Sequence, residues 1–231
     1  MKPARQTSPH MQPPLNPIPW IVWVFVLPIV AMEVVLGLAG RGLIGGPGGI
    51  GWRMQAMERF AFSPDLLRWM IETGNWGADN VLRFLSYGFV HGSFTHAVFA
   101  IVILLAMGKF VGEIFAPWAV AVVVLGSLAG AAVIYTALGL HQPLIGAYPG
   151  VYGLIGAFTF LIWVRLAGTG NTQYRAFTMI GFLMGVQILF ALFSGGTDWV
   201  ADLAGFGVGF GLSFVVSPGG WGHVMARLRR R

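Results

Sequence analysis

The residues of this chain that could do chemistry stand at the heads of apolar runs. His91 and His96 open one run, Tyr148 and Tyr152 another, and Asp202, close to Asp198, a third. Imidazole and carboxylate groups move protons, and a phenol donates or accepts a hydrogen bond. Together with Glu33, the histidines and Asp202 could form a proton or small-solute pathway. Spacing argues against a metal held by His91, His96 and Asp202, because histidines at i and i+5 do not share a helical face as an i, i+4 pair does. The chain has no cysteine, which excludes disulfides, Cys metal sites and thiol chemistry. No resident cofactor or metal is expected.

The composition says where these groups must sit. Of 231 residues, 56% are hydrophobic and only 10% charged, against roughly 25% charged in a soluble domain. The mean hydropathy is +0.75. A helix needs about 20 apolar residues to cross a bilayer, and six such spans are expected, near 20–38, 94–110, 118–138, 150–166, 176–193 and 200–216. The first run is about 19 residues long, longer than the roughly 7–15 of a cleaved signal, and reads as a membrane helix. Residues 1–19 contain six prolines and form no regular helix. They are expected to be a mobile cytoplasmic segment, and 217–231 a basic cytoplasmic tail lying on anionic lipid. The predicted fold is thus an all-α membrane protein with a six-helix domain over 20–216.

Lys and Arg set the expected orientation. With the amino terminus inside, inner segments hold Lys2, Arg5, Lys109, Arg165, Arg175 and the four tail arginines. The pattern suits a bacterial inner membrane with both termini cytoplasmic. The net charge of +6 is accounted for by this asymmetry, and no basic face for nucleic acid is present. The stretch 39–90 breaks the pattern with short amphipathic pieces, expected to lie in the interface with apolar faces inward and arginines outward. Glu33 is read first as a helix-pairing group.

Even-numbered spans then begin at the same face, so His91, His96, Tyr148, Tyr152 and Asp202 share one depth, facing a bundle interior or a wet cavity. Small residues mark helix contacts. Gly146, Gly150, Gly153 and Gly156 line the fourth span, and Gly205, Gly209, Gly207 and Gly211 the sixth. If these faces meet, Tyr148 and Asp202 come together, and a buried hydrogen bond between them is the expected use of both. Contact with a ligand or client is the alternative.

Three motifs in order carry a family resemblance. His91-Gly-Ser-Phe-Thr-His96 resembles the rhomboid pattern His-x4-His-x3-Asn. Gly146-Ala-Tyr-Pro-Gly-Val-Tyr152-Gly153 resembles the fourth-span pattern Gly-x-Ser-Gly-x-x-Tyr-Gly. Ala201-Asp-Leu-Ala-Gly205-Phe-Gly-Val-Gly209 resembles Ala-His-x-x-Gly-x-x-x-Gly, and Trp52-Arg53 resembles a Trp-Arg pair of the family's first loop. The resemblance covers about 20–216. It implies a six-helix bundle with a long membrane-embedded first loop and, in active members, intramembrane peptide cleavage by a Ser-His dyad.

This chain departs from the pattern where that chemistry would occur. Tyr148 stands at the position of the serine, Asp202 at the histidine and Ala100 at the oxyanion asparagine, while His91, His96 and Tyr152 are retained. A phenol, with a pKa of about 10, is a bulky and poor acyl acceptor, and a carboxylate with a normal pKa of about 3.9 is a weak base. Loss of one oxyanion donor alone costs about 10²–10³ in rate. Pro149 replaces the glycine after the serine but suits the first turn of a helix. No catalytic residue is expected. Like inactive rhomboid relatives, the chain would bind transmembrane helices or membrane-protein partners without cutting them. The alternative is a protease with another nucleophile, for which Ser86, Ser93, Thr95 and Ser127 are candidates.

Overall fold

The computed structural model describes residues 16–168 and 172–219. The Pro-rich start through residue 15 and the arginines of the tail lie outside the described residues. Six helices are long and apolar enough to cross a membrane. The first, α1, spans Trp20–Gly40 and follows Pro19. Four short helices come next: α2, Gly46–Gly49; α3, Trp52–Phe60; α4, Pro64–Thr73; and α5, Ala78–Ser86. The remaining long helices are α6, Phe94–Gly112; α7, Pro117–Ala137; α8, Tyr148–Gly168; α9, Thr178–Ser194; and α10, Asp198–Val216.

Local chemistry sets the helix starts. Proline occupies the first turn of α4 and α7, where its missing N–H has no role. Ser63 and Ser93 cap α4 and α6 by accepting from the amides of Leu66 and His96. Gly195 ends α9 in the left-handed region at φ 69°.

Close backbone approach builds the centre, where α8 packs against α7 and α10. A Cβ on Gly209 would lie 2.5 Å from Gly153 Cα, one on Gly205 2.8 Å from Pro149 Cα, and one on Gly156 2.7 Å from Phe210 N. Gly150 sits less tightly against α7, with Val124 and Leu128 just over 3 Å from where its Cβ would be. These glycines let helix backbones touch, which is how helices associate where lipid removes the hydrophobic drive. Gly207 and Gly211 depart from the expectation: both face open space, so only one of the two Gly-x-x-x-Gly pairs in α10 packs.

The first loop packs onto the bundle through polar groups. Phe62 and Leu144 exchange both main-chain hydrogen bonds, at 3.1 and 2.8 Å. The buried Tyr87 hydroxyl donates to the Leu128 carbonyl of α7 at 2.9 Å. Three of the loop arginines point inward, contrary to the outward placement expected. Arg68 donates to the carbonyls of Thr136 and Leu140, Arg83 to those of Glu58 and Ala61, and Arg53 to that of His91. A guanidinium has five donors and no acceptor, so one such side chain serves several acceptors at once.

Candidate functional site

The site is built from the first turns of α6, α8 and α10. Gly146, with φ 96°, makes the turn into α8. A Cβ there would lie 2.9 Å from the His96 ring, so glycine is required by conformation and by space. Ala147 donates its amide to Nε2 of His91 at 3.2 Å. That bond needs His91 neutral, with its proton on Nδ1. Burial first, then the charges of His96 and Arg53, hold the His91 imidazole down at about 3, so it stays neutral across the physiological range.

A second layer fixes His91. Arg53 bridges the His91 carbonyl at 2.8 Å and the Glu33 carboxylate at 2.6 and 3.0 Å. Glu33 is buried, and a buried carboxylate persists when paired and hydrogen-bonded. The pairing role read for Glu33 is therefore met by Arg53 of the first loop. This relay joins α1, α3 and the approach to α6 to the start of α8.

Tyr148 lies flat on His96, with ring centroids 4.9 Å apart and planes 12° apart. His96 in turn meets His91 edge-on at 5.2 Å. The Tyr148 hydroxyl donates to the His96 carbonyl at 3.2 Å. Asp202 is buried and accepts from Gln187 of α9 at 2.7 Å. The expected Tyr148–Asp202 hydrogen bond is thus replaced by two separate bonds. Packing of α8 on α10 brings the residues to the same cavity, but each finds a nearer partner. Ala100 and Tyr152 are buried below this level.

A cavity of about 250 Å³ opens among α6, α8, α9 and α10, lined by His96, Tyr148, Gln187, Asp198, Trp199 and Asp202 with apolar neighbours. Among the described residues, none that lines it is Ser, Thr, Cys, Lys or Arg. The alternative nucleophiles lie elsewhere: Ser86 donates to the Phe60 carbonyl, Ser93 caps α6, Thr95 is exposed on α6, and Ser127 is buried in α7 against Gly153. Among the described residues no group of three or more His, Cys, Asp or Glu side chains could hold a metal. Gln187 and Trp199 were not singled out from the sequence. An amide in the otherwise apolar run 178–194 is the signal that marks Gln187.

The model of the Rhomboid domain matches residues 78–219, more than half of the chain. The chain belongs to the rhomboid family. It is an integral membrane protein with the all-α bundle of that family, in which α5 to α10 fall within the matched region. No curated protein matches the chain.

Proposed function

We propose that this rhomboid-family protein is non-catalytic and binds transmembrane helices of partner proteins, as a complex subunit or as an assembly or quality-control factor. One observation carries the reading: Tyr148, which the motif resemblance aligns with the family's nucleophile, is stacked on His96 with its hydroxyl bonded to the His96 carbonyl. In this reading the bulky ring takes the space that a scissile carbonyl would need. The arrangement also occupies the phenol with a main-chain acceptor instead of a base. Further support comes from α9, whose outer face carries exposed Phe182, Leu189, Leu192 and Phe193, suited to lipid or to another apolar helix. In this reading 20–216 is the client-binding body, with 1–19 and the basic 217–231 on the cytoplasmic side of a bacterial inner membrane.

The test is reconstitution of the purified chain in liposomes with a fluorogenic single-span substrate. The expected result is no cleavage, together with retention of the intact helix on co-purification in mild detergent. Cleavage abolished by a single point change would overturn the reading in favour of an unconventional protease. An Asp202-dependent proton or solute flux in the same liposomes would overturn it in favour of a conduction pathway.

A further inference from the structure

The cavity has a chemical bias that the loss of the serine–histidine pair does not explain. Its two ionisable acids, Asp198 and Asp202, lie one turn apart on α10, the first exposed at the mouth and the second buried at the floor. Among the described residues no Lys or Arg lines it, and the nearby Arg53 is engaged with Glu33. Gln187 donates to Asp202 through its Nε2, which leaves its carbonyl Oε1 as the remaining acceptor. That oxygen is buried and has no hydrogen-bond partner among the described residues. A buried acceptor without a donor is costly, at about 1–3 kcal/mol, and is usually explained by a water or a ligand.

All of these features ask for the same visitor, a compact group rich in donors and carrying positive charge. A carboxylate has about four lone-pair sites, so Asp202 retains acceptor capacity after its bond to Gln187. An alkylammonium has three N–H donors and no acceptor, which suits Asp202, Gln187 Oε1 and, on the way in, Asp198. Tyr148 and Trp199 offer ring faces that attract cations, and Pro149 and Ala201 give an apolar wall for the alkyl stem. At about 250 Å³ the space lies just under the roughly 300–1,000 Å³ of ordinary small-molecule pockets. It fits the end of a long side chain better than a whole metabolite. An anion would meet two carboxyls and no cation.

We propose that this cavity is an alkylammonium site, taking the ε-ammonium of a lysine borne by a membrane helix or a small free primary amine. The first source rests on the helix-binding reading above; the second does not. A lysine in a membrane helix is costly until it is paired, so such a site would select helices that carry one near this depth.

The experiment uses the full chain in nanodiscs, with n-butylammonium chloride as the small probe and 1-butanol and sodium butyrate as matched controls, read by calorimetry. In a second arm, labelled Leu-rich single-span peptides carry Lys, Gln or Glu at one position near the level of the cavity, and binding is read by energy transfer. Butylammonium and the Lys helix are expected to bind, and the other probes are not. Asp202→Asn keeps an acceptor for Gln187 while removing the charge, and should weaken ammonium binding about tenfold or more. Should that variant fail to fold, Asp198→Asn at the exposed mouth should still weaken binding measurably. Butylammonium binding without binding of any helix would support a free-amine site and overturn the client reading. Equal binding of Lys and Gln helices with no response to butylammonium would overturn the ammonium site and leave the client reading standing. Unaltered ammonium affinity in both variants would also overturn the site.

Discussion

The seam between α8 and α10 and the flank formed by α9 use the same apolar residues, yet different forces hold them. In the seam, Gly156, Gly205 and Gly209 bring main chains into direct contact, and a carbon added at any of them meets backbone that cannot move aside. Along α9, Gly181 and Gly185 face open space, and 18% of the span is buried, against 56% in α7 and in α8. The polar link of α9 into the site is the Gln187–Asp202 bond. A close-packed seam behaves as a rigid frame, because packed interiors transmit strain instead of absorbing it. A helix that buries so little of its length belongs to the part of a fold that opens first. The site therefore has a fixed wall, carrying Tyr148 and Asp202, and a loosely held wall, carrying Gln187.

The largest expected effect lies in the fixed wall. Gly209→Val would drive its side chain into Gly153, whose Cα would lie 2.5 Å from the first added carbon. The cost should be at or above the roughly 1–3 kcal/mol of ordinary overpacking. Gly207→Val, on the open face of the same helix, should stay within about 0.5 kcal/mol. Thermal unfolding in detergent measures both, and equal destabilisation of the two would dissolve the contrast between seam and flank. A smaller and more local effect is expected from Gln187→Leu. It removes the donor to Asp202 at a cost of about 1–3 kcal/mol, and hydrogen exchange should quicken along 178–194 while α8 and α10 keep their protection. If α9 exchanges as before, something other than this bond holds it.

Why the sequence foretold the frame better than the site follows from the same contrast. Apolar length marks a span, so six helices could be placed, and glycine spacing pointed to a meeting of the fourth and sixth. Their starts lie two residues earlier than expected, at Tyr148 and Asp198. A proline in the first turn of one and an acid in the first turn of the other extend a helix backwards into what reads as loop. Side-chain partners were harder to foresee. The meeting of two helices does not say which of several donors reaches a carboxyl, and Gln187 arrived from a third helix to take the place expected for Tyr148. The loop arginines misled for a related reason: amphipathic spacing tells which face is apolar, but a long guanidinium stem can fold back to carbonyls beneath it.

The smallest expected effect is at the surface, where the first loop meets the connection before α8. His141 Nδ1 lies 2.7 Å from the Asp65 carboxylate, and Arg68 bonds the same oxygen at 2.6 Å. The hydrogen bond to His141, and then that to Arg68, hold the Asp65 carboxyl below its ordinary value of 3.8. A carboxyl lowered by folding contributes stability above its unfolded pKa, and the contribution fades as pH falls through the lower folded value. The acid sensitivity contributed by the Asp65 carboxyl therefore sets in as pH falls toward and below its ordinary value of 3.8. Because Asp65 is exposed, water and salt screen the interaction. His141→Ala should let the Asp65 carboxyl titrate closer to its ordinary value, seen by NMR of a carboxyl-labelled sample, with little change in unfolding temperature at neutral pH. A large drop there would mean that the polar clamp, and not the glycine seam, sets the rigidity of the fixed wall. Arg68 still donates to Thr136 and Leu140 without His141, so the clamp itself should survive the change.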